Sequence, residues 1–93
     1  MSERAETLRR KLREAFAPVM LEVVDESHLH AGHAGAAGGG GHYAVTVVSS
    51  QFEGMTAVAR HRRVYAVLAA EMGGAIHALS VRARTPAEAR DEV

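Results

Sequence analysis

Histidine is the residue type in this chain whose placement points to chemistry. The chain has six histidines and no cysteine in 93 residues. Four of the histidines fall in the glycine-rich stretch DESHLHAGHAGAAGGGGHY, namely His28, His30, His33 and His42. Neutral imidazole binds zinc, iron, nickel and copper, and glycines let a loop wrap an ion. Two interpretations stay open, a solvated spacer or part of a metal site whose other ligands come from elsewhere.

The familiar zinc and enzyme patterns are missing from the sequence. A structural zinc site needs four ligands, commonly with cysteine, and a zinc hydrolase needs an H-E-x-x-H helix. The sequence has neither arrangement. It also pairs no nucleophile with a base and has no phosphate-binding loop, so an enzyme is the least favoured class of function.

The two remaining histidines lie on predicted regular elements. His61 falls on the apolar stripe of a predicted helix, next to Arg60, Arg62 and Arg63. This position predicts a hydrogen-bonded core or subsurface histidine that orients the helix. His77 opens a predicted strand at the rim where a buried face meets solvent. Half-buried packing and metal ligation are the two interpretations of His77.

Arginines on two predicted helices could form a nucleic-acid interface. The basic residues are Arg9, Arg10, Lys11 and Arg13 on the first helix and Arg60, Arg62 and Arg63 on the second. Eleven basic and eleven acidic residues cancel, so any contact with phosphates must come from a local patch. The alternative is a solvated helix face balanced by glutamates. No aromatic platform accompanies these arginines, which disfavours stacking on single strands.

Hydrophobic periodicity and capping residues predict the element order α-β-β-α-β-α. The predicted elements are a helix over Ser2–Ala17 ended by Pro18, strands over Val19–Glu26 and His42–Ser50, a helix from the cap Thr56 to Met72, a strand over Ala75–Ala83 and a short helix whose capping box is Thr85, Pro86 and Glu88. The first two strands should form an antiparallel hairpin with a long loop.

Each predicted element has residues in phase on one face. These sets are Ala5, Leu8, Leu12, Ala15 and Phe16 in the first helix, Val19, Leu21 and Val23 in the first strand, Tyr43, Val45 and Val47 in the second strand, Ala57, His61, Val64, Tyr65, Leu68 and Met72 in the long helix, and His77, Leu79 and Val81 in the third strand.

The length and composition predict one globular domain. Hydrophobic residues at 47% and charged residues at 24% are ordinary globular values. We expect a single domain over residues 1–93, with a flexible His/Gly-rich loop at residues 26–41. The charged start and the lack of a long apolar run predict no membrane association. The absence of cysteine fits a reducing compartment, so we expect a cytoplasmic protein.

Three segments together resemble the BolA family nearly from end to end. They are LEVVDESHLHAGH, HYAVTVVSSQFEG and RHRRVYAVLAAEMGGAIHALSVRARTP, in the family's order. The most specific pieces are Phe52-Glu53-Gly54, Arg60-His61-Arg62, Val64-Tyr65 and His77-Ala78-Leu79. The resemblance implies an α+β fold of the class II KH-like type, with helices on one face of a three-stranded mixed sheet.

The resemblance also implies a partner and a cluster. The family is associated with monothiol glutaredoxins of the CGFS type, with which it shares a 2Fe-2S cluster in iron-sulfur trafficking and iron homeostasis. The family's ligand at the third strand corresponds to His77. Its loop ligand matches His30 best by the offset from Asp25, with His33 as the alternative. Histidine can replace cysteine on one iron, as in Rieske centres. A glutaredoxin cysteine and glutathione would hold the other iron.

For the isolated chain, we expect no bound cluster and a monomer or a weak homodimer. The second activity attached to the family is DNA binding by a transcriptional regulator of stress response and cell morphology, for which the resemblance implies Arg60, Arg62 and Arg63. KH domains bind nucleic acid through a Gly-x-x-Gly loop between two helices. Here the sequence GHAG lies between two strands, which disfavours RNA binding of that type. Ala89 also replaces a tryptophan that often follows TPxE in the family.

Overall fold

The computed structural model describes residues 3–27, 41–74 and 76–92. Within these residues, the elements follow the predicted order with one additional short 3-10 helix. The elements are α1 (Glu3–Phe16), β1 (Met20–Asp25), β2 (Gly41–Val48), the 3-10 helix (Ser50–Phe52), α2 (Ala57–Val67), β3 (Ile76–Arg84) and α3 (Pro86–Asp91). No helix of the described residues is long and apolar enough to cross a bilayer.

The three strands form one mixed sheet in the order β1-β2-β3. Strand β1 runs antiparallel to β2, with Val23 opposite Val45. Strand β3 runs parallel to β2, with Val45 opposite Val81. The predicted hairpin and the mixed sheet implied by the family resemblance are therefore confirmed.

The core lies between one face of the sheet and the helices. Alternate residues of β2, which are Tyr43, Val45 and Val47, are buried and point to this core. Helix α1 contributes its predicted apolar stripe, and the rings of Phe16 and Phe52 lie 5.0 Å apart. Each large apolar side chain buried in this way contributes about 1.5–3 kcal/mol relative to an exposed position. The hydrophobic effect therefore holds the helices on one face of the sheet.

Strand β1 starts one residue later than predicted. Helix α1 ends at Phe16, and Ala17 takes a positive φ of 44° before Pro18. Val19 follows this turn and is 72% exposed, so its predicted place on the core face is wrong. Val23 is buried as predicted. Val19 precedes β1, so the alternation of the strand does not determine its burial.

Helix α2 is shorter than predicted. It ends at Val67, and Leu68 caps it through backbone hydrogen bonds to the carbonyls of Val64 and Ala66. The predicted end at Met72 is therefore wrong. The residues after Leu68 form turns instead, and Gly73 takes a φ of 84°, which favours glycine.

The buried face of α2 and of the turns after it matches the predicted stripe in part. Val64 and Leu68 are buried and Met72 packs against the core as predicted, but Ala57 and His61 are exposed. Val67, which lies outside the predicted stripe, also packs against the core. Helix α2 packs against both β3 and α1, and Arg63 of α2 lies over the ring of Phe16 of α1. Ala57 and His61 lie outside the side of the helix that these elements cover.

Candidate functional site

His77 is the extra residue of a β-bulge at the start of β3. Gly41 pairs with Ile76, whereas the next residue of β2, His42, pairs with Ala78. His77 therefore has no opposite residue in β2. A bulge bends its strand and changes the direction of a side chain, and bulges occur often beside functional sites.

The bulge moves His77 out of phase with the rest of β3. Ile76 is buried and His77 is exposed, while Leu79 and Val81 are partly buried against the core. The prediction that His77 shares a face with Leu79 and Val81 is therefore wrong. The physical reason is the inserted residue, since one extra residue reverses the alternation of a strand.

The segment that carries the loop histidines joins the sheet at the same end as His77. Hydrogen bonds tie the two ends of this segment together: the His42 N–H donates to Ser27 Oγ at 3.0 Å, and the Glu26 N–H donates to the His42 carbonyl at 2.7 Å. His30 and His33 lie outside the described residues. Their assignment as ligands therefore stays a prediction.

Gly41 ends the glycine-rich stretch and has a packing role. It is buried, and a Cβ at this position would overlap the ring of Tyr43, which is itself buried in the core. Only glycine fits without moving that ring. The sequence prediction started β2 one residue later and missed this role, because a single glycine in a glycine tract carries no local signal.

The donor set of the described residues is incomplete for a metal. Among residues 3–27, 41–74 and 76–92, no group of three or more His, Cys, Asp or Glu side chains could hold an ion. None of the hydrogen bonds or ion pairs among these residues involves the exposed imidazole of His77. A 2Fe-2S cluster needs four ligands, and the chain has no cysteine. The described residues therefore hold no complete metal site, and the loop histidines His30 and His33 lie outside them.

The three arginines predicted to contact DNA differ in their surroundings. The Arg60 side chain is only 12% exposed, and its guanidinium donates to both carboxylate oxygens of Glu88 at 2.6 and 3.2 Å. It also donates to the carbonyls of Met55 and Ala83. Arg60 thus joins α2 to β3 and α3, and its donors point into the protein.

Arg62 and Arg63 are exposed on α2. The guanidinium carbon of Arg63 lies 5.3 Å from the centre of the Phe16 ring, a distance typical of a cation–π contact. Arg62 has no such aromatic neighbour among the described residues. These two arginines form the exposed basic part of the RHRR segment.

His61 is an exposed histidine rather than a core or subsurface one. Its Nδ1 lies 3.2 Å from the carbonyl oxygen of Ala57, and its ring stacks on that of Tyr65 with centres 6.4 Å apart. The predicted hydrogen bond is present, but the predicted burial is wrong. His61 lies on the side of α2 that α1 and β3 leave open. Tyr65 is half-buried and donates its hydroxyl to the carbonyl of Leu79 at 3.0 Å.

Glu88 has two structural roles at the start of α3. It closes the predicted capping box, since the Glu88 N–H donates to Thr85 Oγ1 and the Thr85 N–H donates to the Glu88 carboxylate. It also accepts the two hydrogen bonds from Arg60. The Arg60 side chain first and the Thr85 N–H second lower the pKa of Glu88 from 4.5 to about 2. Sequence reasoning found the cap but missed Arg60, which is 28 residues away.

We expect Glu88→Gln to be less stable than the wild type at neutral pH, with a difference that shrinks in acid. The pKa of Glu88 is lower in the folded state, so its carboxylate stabilises the fold above pH 4.5 and loses this effect as the pH falls towards 2. Urea unfolding between about pH 2 and pH 7 measures the difference. Glu53→Gln, at an exposed turn position, is the matched control. Parallel pH profiles for wild type and Glu88→Gln would contradict the assignment.

Comparison with known proteins reveals clear relatives. A family model described as BolA-like protein matches residues 12–88. The human protein named BolA-like protein 1 is 50% identical over 84 residues, which are 90% of this chain and 59% of that protein. The chain thus spans about 59% of the length of this relative. The Escherichia coli K12 protein named DNA-binding transcriptional regulator BolA is 44% identical over 80 residues, covering 86% of this chain and 73% of that protein.

Solved structures show the same fold. The structure of BolA1 from Arabidopsis thaliana superposes with a TM-score of 0.81 at 44% sequence identity. The superposition covers 95% of this chain and 97% of the Arabidopsis chain. The three helices and the mixed sheet are therefore shared with that protein over almost the whole length of both chains.

Proposed function

Because this chain belongs to the BolA-like family, we propose that it is a non-catalytic adaptor that binds a monothiol glutaredoxin of the CGFS type. In this proposal the two proteins share a 2Fe-2S cluster in iron-sulfur trafficking and iron homeostasis. The observation that carries the proposal is the exposed imidazole of His77, on a bulge at the end of the sheet where segment 28–40 joins.

The proposed ligand set divides the cluster between two molecules. His77 and one loop histidine, His30 or His33, hold one iron. The glutaredoxin cysteine and glutathione hold the other. An imidazole that serves a shared cluster must be open to a second protein and must keep one ring nitrogen free for iron, and the surroundings of His77 among the described residues meet both conditions. The cluster supplies iron and sulfide as cargo, and histidine ligation raises its reduction potential.

The test is anaerobic cluster reconstitution of the chain with glutathione and a CGFS glutaredoxin, followed by gel filtration with visible detection. We expect a coloured one-to-one complex whose spectrum differs from that of the glutaredoxin homodimer. The chain reconstituted without glutaredoxin is the control and should elute without colour. If the colour stays with the glutaredoxin and this chain elutes alone, the proposal fails.

A second candidate is a DNA-binding regulator that uses the exposed arginines of α2. The name of the E. coli relative and the exposure of Arg62 and Arg63 favour it. We expect Arg62→Glu/Arg63→Glu to weaken binding to promoter DNA and to lower the salt slope by about 0.9 for each phosphate that the variant no longer neutralises. Electrophoretic mobility shifts at several salt concentrations measure both effects. Arg82→Glu/Arg90→Glu, which reverses two exposed arginines away from α2 and makes the same change in charge, is the matched control, and equal effects of the two variants would exclude this interface.

We place the proposed activity in the cytoplasm. A chain without cysteine forms no disulfides and suits a reducing compartment. Glutathione, the proposed co-ligand, is the main thiol buffer of that compartment.

A further inference from the structure

The middle of the sheet face opposite the helices is uncovered in the described part of the chain, whereas Val48, at the end of β2 on the same face, is buried. Two rows of residues cross the three strands in this uncovered part: Glu22, Thr46 and Arg82 form one row, and Val24, Ala44 and Ser80 form the other. We call these six residues the open face. The outer residues of both rows are exposed, and Val24 is 40% exposed although it is apolar.

The open face carries opposite charges at its two sides. Glu22 lies on β1 and Arg82 lies on β3, with Thr46 of β2 between them. No ion pair among the described residues involves either charge. The shape of the open face also differs between its β1 side and its β3 side. Val24 projects from β1, and a shallow depression of about 220 Å³ lies between β2 and β3, lined in part by Ala44 and Ser80.

We propose that the open face binds a second copy of this chain, through a two-fold axis parallel to β2. This axis lays β1 of one copy over β3 of the other. Each Glu22 then meets the second copy's Arg82, and each Val24 faces the depression beside the second copy's Ser80. An axis perpendicular to β2 in the plane of the contact would instead set Glu22 against Glu22. Charge and shape therefore select one arrangement, and the contact is isologous.

The edges of the sheet are less suited to a second copy than the open face. The Glu26 N–H donates to the His42 carbonyl, so the backbone groups of Glu26 face β2. Backbone groups of successive residues in β1 face opposite sides, and the Val23 carbonyl therefore points to the free edge of the sheet. Arg9 donates to this carbonyl at 3.3 Å. On β3, the outward carbonyl of Leu79 accepts from Tyr65.

The outward carbonyl of Ala83 is occupied in the same way, by Arg60 at 3.2 Å. Side chains from both long helices thus occupy acceptors that a strand of another molecule would need, a known way of blocking edge-to-edge pairing. With the helices on one face and these side chains at the edges, the open face is the remaining surface of the sheet.

The size of the open face predicts a weak dimer. Two rows of side chains across three strands about 4.8 Å apart cover roughly 200 Å². Stable complexes bury about 800 Å² per partner. The dimer should therefore form at high protein concentration and weaken with salt, which screens the two charge pairs. It needs neither a cluster nor His77, so its test is independent of the proposed function.

Sedimentation equilibrium up to about 1 mM protein, with NMR amide shifts over the same series, tests the proposal. We expect Glu22→Arg and Arg82→Glu each to weaken self-association roughly tenfold, because each change replaces two attractions by two repulsions. An equimolar mixture of the two variants should associate again, since every contact then pairs opposite charges. Glu53→Arg, away from the sheet, is the control and should behave like the wild type.

Three results would overturn the proposal. The first is a wild-type chain that remains monomeric throughout the concentration series. The second is a pair of single variants that associate like the wild type, or whose mixture does not associate. The third is a set of concentration-dependent shifts confined to the strand edges or the helices instead of the open face.

Discussion

His77→Ala is expected to remove the visible absorption and circular dichroism of the mixed complex with glutaredoxin and to weaken cluster retention at least tenfold, an effect on the order of 1.4 kcal/mol or more. The substitution deletes one of the four ligands in the proposed cluster site. Among the described residues, no group of three or more His, Cys, Asp or Glu side chains could hold an iron ion in its place. His77 is exposed and outside the core, so the fold should be unchanged. Reconstitution with glutaredoxin and glutathione, followed by visible spectroscopy, measures the loss.

Two further variants separate ligation from other effects of losing a histidine. His61→Ala removes another exposed histidine, on α2, and should leave the spectrum unchanged. His77→Cys keeps a ligand, so it should retain a cluster with an altered spectrum and a lower reduction potential. The ligand assignment is wrong if His77→Ala keeps the absorption and dichroism of the wild-type complex. His30→Ala and His33→Ala, made separately in a chain that retains His77, identify which of the two is the loop ligand.

Phe52→Ala is expected to lower the free energy of unfolding by about 3–5 kcal/mol, roughly half the stability of a domain of this size. Phe52 is fully buried, with its ring 5.0 Å from that of Phe16. The guanidinium of Arg60 lies 5.9 Å from the centre of the Phe52 ring. Alanine would leave a cavity between the 3-10 helix, α1 and α2 that the surrounding backbone cannot fill. Urea unfolding followed by circular dichroism measures the change.

The control for this prediction is Val58→Ala. Val58 is a large apolar residue of α2 that is 59% exposed, so its truncation should change stability by no more than about 0.5 kcal/mol. A loss below about 1 kcal/mol for Phe52→Ala would contradict the described packing. The result also bears on the motif Phe52-Glu53-Gly54. Phe52 fills the core and Gly54 takes a φ of 78°, so two of its three residues have structural roles.

The sequence by itself determined the features that depend on neighbours along the chain. The alternation of Tyr43, Val45 and Val47 predicted β2 and its buried face, because side chains of a strand repeat every two residues. The capping box of Thr85 and Glu88 predicted the start of α3, because both of its hydrogen bonds lie within four residues. The family resemblance added the mixed sheet, which local periodicity does not specify.

Only the tertiary structure decided which side chains are open to a partner. The bulge at His77 depends on the pairing of β3 with β2, and it exposes an imidazole that the alternation alone would place on the same face as Leu79. The placement of α2 against α1 and β3 leaves His61 on the exposed side of the helix. The ion pair with Glu88 takes Arg60 out of the RHRR surface. These contacts join residues far apart in sequence, and their free energy depends on packing that no local pattern records.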